Sequence, residues 1–123
     1  MRYGIELIMD MSDCNVGKFN RREIKKYCLR LCELIDMKAE DLYFWDDYRV
    51  PKEKRQTNPK TKGTSAIQFI LTSNITVHTL DMLGSVFVNI FSCKDYDTKK
   101  AEEFTVSFFG AKEHRATVIE RGI

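Results

Sequence analysis

The sequence has few of the residues that break or cross-link a chain, with two prolines, six glycines and four cysteines among 123 residues. It also has no excess of charge of one sign, because 20 Lys and Arg face 18 Asp and Glu. This balance gives no support for a nucleic-acid partner or an anionic membrane surface, which usually require an excess of basic residues. No apolar run approaches the roughly 20 residues that a membrane-spanning helix requires. We therefore expect neither a nucleic-acid partner nor a membrane.

The cysteines and the N-terminal segment bear on the cellular compartment. The sequence has four cysteines, namely Cys14, Cys28, Cys32 and Cys93. Only Cys28 and Cys32 lie close together, and no second pair completes the spacing of a zinc site. The N-terminal segment carries Glu6 and Asp10 in an alternating pattern, which is not typical of a signal peptide. We therefore expect free thiols, no metal and a cytoplasmic location.

The residues that are present predict a packed domain. The hydrophobic content of 43% is enough for a core, and the length corresponds to one domain spanning residues 1–123. Residues 2–11 alternate between apolar and polar side chains, which predicts a strand with one buried face. Asn20 and Glu23 resemble a capping box, and the apolar residues after them recur at helical spacing to about Met37. This pattern predicts the first helix.

The remainder of the chain predicts five more strands and a second helix. The strands are expected at residues 42–50, 64–72, 74–80, 85–92 and 114–121, and the helix at residues 98–109 with Gly110 as its C-cap. Residues 51–63 hold both prolines and several basic side chains, which predicts a solvated loop or, alternatively, a basic lid over an anionic ligand. The order of elements predicts an α+β fold, a two-layer sandwich of a mostly antiparallel sheet with two helices on one face.

Three residues in or beside apolar segments are candidates for chemistry, but they do not define a function by themselves. A histidine within a strand, such as His78, is more often structural than catalytic. Cys93 ends an apolar strand, so it is either an inert buried thiol or a reactive thiol beside Lys94. Ser73 can be a simple break between two strands. The sequence has no G-x-S-x-G, Gly-rich phosphate loop or H-E-x-x-H motif.

A longer pattern around these residues resembles a known family. Residues 72–79 read Thr-Ser-Asn-Ile-Thr-Val-His-Thr and resemble the self-cleavage segment of the short prokaryotic S-adenosylmethionine decarboxylases, usually Glu-Ser-His-Ile-Ser/Thr-Ile-His-Thr. The strand that ends at Cys93 resembles the family's Phe-Thr-Cys strand end. The spacings also agree, with five positions from Ser73 to His78, fifteen from His78 to Cys93 and eight from Ser65 to Ser73. The first strand resembles the family's in carrying an acid followed by a cysteine.

The resemblance implies that the chain matures by cutting itself between Thr72 and Ser73. Ser73 matches the serine whose hydroxyl attacks the preceding carbonyl and which then becomes a pyruvoyl group, the cofactor of this family. His78 matches the processing base, and Ser65 matches the serine that assists the rearrangement. A strained turn at the cleavage point is expected to favour the reaction.

The resemblance also implies the chemistry of the mature enzyme. The pyruvoyl ketone forms a Schiff base with the amine of S-adenosylmethionine and accepts the electron pair when carbon dioxide leaves, in a step of spermidine (polyamine) biosynthesis. Cys93 matches the residue that returns a proton to the α-carbon. Asp10 or Glu6 is expected to hold the cationic or ribose end of the substrate, and no metal is implied.

The segment departs from the family's usual pattern in places. Thr72 stands where glutamate is usual, and Asn74 stands where histidine is usual. The aromatic residue that usually stacks on adenine is absent between residues 58 and 63. Four aromatic residues are candidates to replace it: Tyr3, Phe44, Trp45 and Tyr48. Three alternatives are therefore open: a pyruvoyl-dependent decarboxylase of ornithine or arginine, a non-cleaving homologue that binds a ligand or regulates a partner, and an unrelated α+β domain.

The sheet face without helices predicts an association surface. Six large apolar residues are expected on it: Ile67, Phe69, Val77, Val86, Val88 and Ile90. A patch of that size usually marks an interface, and a two-fold dimer is the commonest closed assembly. The short members of the family also pair two copies. We therefore expect at least a homodimer, with each active site completed near the interface.

Overall fold

The computed structural model describes all 123 residues as one sheet covered by two helices. The elements are β1 (Arg2–Ser12), α1 (Arg21–Leu34), β2 (Ala39–Trp45), β3 (Gly63–Ile70), β4 (Ser73–Leu80), β5 (Ser85–Ser92), α2 (Thr98–Phe109) and β6 (Glu113–Gly122). Two short 3-10 turns, Val16–Lys18 and Lys52–Lys54, lie in the loops. The strands lie in the order β2-β3-β4-β5-β1-β6, and every neighbouring pair is antiparallel. Neither helix is long and apolar enough to cross a membrane.

Capping residues and left-handed residues set the ends of the two helices. The Asn20 side chain accepts a hydrogen bond from the Glu23 N–H at 2.9 Å, which starts α1 as the sequence predicts. α1 ends at Leu34, three residues before the predicted end, because the chain leaves the helix through Asp36 at a φ of 57°. α2 ends at Phe109 and is followed by the C-cap Gly110, whose φ of 63° suits glycine.

The end of β2 is set by an ion pair with α1. The prediction of a strand over residues 42–50 is wrong at its C-terminal end, because β2 stops at Trp45. The Asp46 carboxylate binds the Arg21 guanidinium through two hydrogen bonds of 2.8 Å and also accepts the Tyr48 N–H. These contacts turn the chain away from the sheet.

α1 and α2 pack against each other on one face of the sheet, here called the inner face. Side chains that alternate along the strands are buried beneath the helices, including Leu7, Met9, Ile75, Val77, Val86, Val88 and Ile90. The helices contribute Ile24, Tyr27, Leu31, Ala101 and Phe109 to the same core. This arrangement confirms the predicted two-layer α+β sandwich.

The opposite face, here called the open face, has no helix over it. The prediction of its residues is wrong for four of the six, since these lie on the inner face and are fully buried: Val77, Val86, Val88 and Ile90. The central strands carry apolar residues on both faces, so alternation alone does not show which face the helices cover. Ile67 and Phe69 do lie on the open face and are 41% and 44% exposed. Other exposed apolar side chains accompany them there: Tyr43, Trp45, Phe87 and Ile119.

A buried hydroxyl pair joins the two helices and gives a test of the core. The Tyr27 hydroxyl lies 2.7 Å from Thr105 Oγ1, and Thr105 in turn donates to the Ala101 carbonyl. Tyr27→Phe leaves Thr105 without its donor in a dry core, so we expect the free energy of unfolding to fall by about 1 kcal/mol. Tyr43→Phe, on an exposed tyrosine, is the control and should change it by less than about 0.5 kcal/mol. Urea unfolding measures both, in a Ser73→Ala background that keeps the chain continuous.

Candidate active site

The hairpin between β3 and β4 has a strained turn directly before Ser73. Ile70 pairs with Ser73, so only Leu71 and Thr72 close the turn. Thr72 has a φ of 49°, in the left-handed region. A β-branched residue rarely adopts this conformation, which costs about 1–2 kcal/mol. The strain therefore lies at the residue whose carbonyl joins Ser73.

Ser73 and Cys93 lie next to each other at the ends of neighbouring strands. Ser73 is 5% exposed, and its Oγ accepts a hydrogen bond from the Cys93 N–H at 3.1 Å. The Cys93 Sγ lies 3.2 Å from Thr72 Oγ1 and 3.9 Å from the Leu71 carbonyl oxygen. We call Thr72, Ser73 and Cys93 the turn cluster. Because Ser92 is buried on the inner face, alternation directs Cys93 to the open face.

The turn cluster makes Cys93 different from the other cysteines. The hydrogen bond with the Thr72 hydroxyl lowers the pKa of the Cys93 thiol below its ordinary value, and the Ser73 hydroxyl lowers it further by a smaller amount. Burial raises the pKa of Cys14 and Cys32 to about 11 and that of Cys28 to about 12. Cys93 is therefore the cysteine that exchanges a proton most readily near neutral pH.

Ser65 and His78 form a second cluster on the open face. They are cross-strand partners in β3 and β4, and Ser65 Oγ lies 2.8 Å from His78 Nδ1. We call them the processing pair, after the role that the resemblance implies for them. They line a cavity of about 630 Å³ together with Trp45, Phe87 and residues of the loop before β3, among them Lys60.

The two clusters do not meet within one chain. Ser73 and His78 are five residues apart along an extended strand, and at ~3.3 Å per residue their Cα atoms are separated by roughly 16 Å. The structure thus brings Ser73 together with Cys93, and Ser65 together with His78, but it does not bring Ser73 together with His78.

The carboxylate of Glu6 is already held by this chain. Its Oε1 lies 2.5 Å from Arg121 Nη1, and its Oε2 accepts a hydrogen bond from Asn89 Nδ2 at 2.7 Å. The Arg121 guanidinium also stacks over the Phe91 ring at 5.2 Å. Sequence reasoning missed the contacts of Arg121 with Glu6 and Phe91, since nothing in a local pattern pairs residues so far apart.

Asp10 is more accessible than Glu6. Its carboxylate binds Arg115 Nη2 at 2.7 Å, with 39% of the side chain exposed. Asp10 pairs with Phe87, which pairs with His78, so Asp10 lies in the same cross-strand row as the processing pair. No group of three or more His, Cys, Asp and Glu side chains is placed to hold a metal ion.

Two of the four candidate aromatic rings lie near these clusters. Tyr3 stacks on Phe91 with ring centroids 6.2 Å apart, close to Cys93, and its hydroxyl helps to lower the Cys93 pKa. Trp45 lines the cavity of the processing pair. The other two candidates lie elsewhere: Phe44 packs against the core and the Arg21 guanidinium, and Tyr48 packs against the Arg21 and Arg49 guanidinium groups.

Comparison with known proteins gives a family match over most of the chain. Residues 5–122 match the family described as S-adenosylmethionine decarboxylase. No curated protein is significantly similar in sequence. Among solved structures, the fold is similar to the crystal structure of the adenosylmethionine decarboxylase from Aquifex aeolicus VF5, with a TM-score of 0.78 and 17% identity. That match covers 99% of this chain and 92% of the other, and at such identity it shows the fold alone.

Proposed function

The chain belongs to the S-adenosylmethionine decarboxylase family, and from this premise we propose that it cuts itself between Thr72 and Ser73 and then decarboxylates S-adenosylmethionine. The product, decarboxylated S-adenosylmethionine, would serve spermidine (polyamine) synthesis in the cytoplasm. The observation that carries the proposal is the turn cluster, in which a strained residue, a serine and an accessible thiol meet. In this proposal residues 1–123 form one domain that self-cleavage divides into two associated chains.

The chemistry of cleavage follows from the atoms of the turn. Ser73 Oγ attacks the Thr72 carbonyl carbon, the peptide C–N bond breaks, and the hydroxyl proton is transferred to the nitrogen. Strain at Thr72 lowers the barrier because the cut relieves it. Loss of the Ser73 α-proton then breaks the Cβ–Oγ bond and releases Thr72 as a carboxylate. Hydrolysis of the resulting dehydroalanine takes up one water, releases ammonia and leaves the pyruvoyl ketone at position 73.

The base for this cleavage must come from a second copy of the chain. His78 is roughly 16 Å from Ser73 along the same strand and cannot reach it. Two open faces packed together bring their sheets about 10 Å apart. A two-fold axis that lies between the sheets and runs across the strands exchanges the strand ends. The processing pair of one copy then faces the Thr72 and Cys93 side of the turn cluster in the other.

The same dimer supplies the groups needed for turnover. The pyruvoyl group provides the electron sink for decarboxylation. Cys93 lies on the open-face side of Ser73 and donates the proton to the substrate's α-carbon. Trp45 offers its ring to adenine, and Asp10 holds the ribose or the cationic end. Asp10 is proposed for this role in preference to Glu6, because the Glu6 carboxylate is already held by Arg121 and Asn89.

Self-cleavage is tested with a matched pair of serine variants. The wild-type chain should give fragments 1–72 and 73–123 by intact-mass analysis, with the second fragment resistant to Edman degradation because it begins with a ketone. Ser73→Ala should remain one chain without activity, since it lacks the nucleophile. Ser107→Ala, on the exposed side of α2, is the control and should cleave normally. A wild-type chain that stays whole at neutral pH would instead support a non-cleaving homologue.

The dimer is tested on two residues of equal exposure. Phe69 on the open face is 44% exposed and Leu29 on α1 is 43% exposed. Phe69→Lys places a charge in the proposed interface, so we expect association to weaken by at least about tenfold, and cleavage to slow with it. Leu29→Lys should change neither. Sedimentation at micromolar concentration measures the assembly, and an active wild-type monomer would contradict the proposal.

The substrate is tested by carbon dioxide release. We expect release from S-adenosylmethionine and not from ornithine or arginine. Trp45→Ala should raise KM for S-adenosylmethionine about tenfold, because stacking on a base contributes ~1–3 kcal/mol. Tyr48→Ala is the control, since the Tyr48 ring packs against the Arg21 and Arg49 guanidinium groups outside the cavity. Release from a basic amino acid would identify the alternative substrate class.

A further inference from the structure

The bond that is cut and the thiol that donates the proton lie beside each other before any cleavage occurs. The Cys93 N–H donates to Ser73 Oγ at 3.1 Å, and the Cys93 Sγ lies 3.2 Å from Thr72 Oγ1. The Thr72 carbonyl carbon is only two bonds from the Cβ that bears this hydroxyl. Any charge that cleavage creates on Thr72 therefore arises within a few Å of the thiol.

One oxygen atom, Ser73 Oγ, takes part both in the cleavage and in the hydrogen bond with Cys93. In the cleavage described above, Ser73 Oγ forms the bond to the Thr72 carbonyl carbon, and elimination breaks its bond to Cβ. Ser73 Oγ therefore leaves with Thr72 as one of the two carboxylate oxygens. This oxygen is the atom that already accepts the Cys93 N–H. The new carboxylate is thus hydrogen-bonded to Cys93 at the moment it forms, and a charge-assisted bond is stronger than the one it replaces.

We propose that self-cleavage sets the protonation state of Cys93: the Thr72 carboxylate stays on the Cys93 N–H and holds the neighbouring thiol in its protonated form. The inference rests on the proposed function, because it requires the cut between Thr72 and Ser73. Thr72 becomes a positioning residue of the mature enzyme through its main-chain carboxylate. The family usually has glutamate at this position, but its side chain is not needed for this role because the carboxylate belongs to the main chain.

The other charged side chains near Cys93 do not hold its thiol in the protonated form, because they pair with one another. The pairs are Arg2 with Asp95 and Glu120, Lys94 with Asp36, and Arg121 with Glu6. In the intact chain, the thiol is contacted by the hydroxyls of Thr72, Ser73 and Tyr3, which lower its pKa. Cleavage removes the Ser73 hydroxyl and adds an anion, and both changes raise the pKa of the thiol.

This coupling gives the mature enzyme the acid it needs. A proton donor must carry its proton when the carbanion forms, and a thiolate beside a ketone can add to it instead. Holding the thiol neutral provides the proton and prevents that addition. Self-cleavage therefore produces the pyruvoyl ketone and at the same time fixes the Cys93 thiol in the protonated form that turnover requires.

The test compares the Cys93 thiol in cleaved and intact protein. Alkylation by iodoacetamide follows the thiolate fraction, so its rate against pH gives the Cys93 pKa, read by mass spectrometry on the Cys93 peptide with Cys14 as internal reference. The intact samples are His78→Ala, which keeps both Thr72 and Ser73, and Ser73→Ala. We expect the pKa to be about one unit higher in cleaved wild type than in His78→Ala, which corresponds to about tenfold slower alkylation at pH values below both pKa values.

The outcomes separate this inference from the function on which it rests. A cleaved wild type whose Cys93 pKa equals or falls below that of His78→Ala overturns the inference and leaves the function standing. An intact wild type refutes the proposed function and the inference with it. The alkaline limb of the decarboxylation rate should fall at the pKa of the cleaved protein, and a limb at the intact-chain value would also overturn the inference.

Discussion

The two-residue turn between β3 and β4 is the constraint on which the site depends. Pairing of Ile70 with Ser73 leaves only Leu71 and Thr72 to reverse the chain, and Thr72 adopts a φ of 49°. The same register places Ser73 at the first position of β4, beside the end of β5. The strain, the hydrogen bond to Cys93 and the contact of its thiol with Thr72 all follow from this hairpin.

The geometry of an extended strand divides the candidate site residues into two clusters. A spacing of five residues along β4 separates Ser73 from His78 by the length of the strand and directs them to opposite faces. The open face is apolar, carries the processing pair and has no cover within the chain. Association through this face would bury the exposed rings. It would also place the turn cluster of one copy beside the processing pair of the other. This is the physical basis for proposing a dimer.

Local patterns predicted much of the fold but not which distant residues meet. Alternation over residues 2–11, the Asn20 cap and Gly110 were sufficient for β1, the start of α1 and the end of α2. The end of β2 depends on Arg21, which is 25 residues from Asp46 in sequence. Motif spacing identified Ser65, Ser73, His78 and Cys93 as candidates, and the register of the sheet then showed how they are grouped. The partners of Glu6, 83 and 115 residues away, leave no local signal.

The central claim, that each site joins the turn cluster of one copy to the processing pair of another, is tested most directly with mixed dimers. Ser73→Ala and His78→Ala chains carrying different tags are co-expressed, and the mixed dimer is purified through both tags. The account predicts that the His78→Ala chain is cut after Thr72 in the mixed dimer, while each variant alone stays whole. A mixed dimer in which neither chain is cut, alongside a wild type that cleaves, would contradict it.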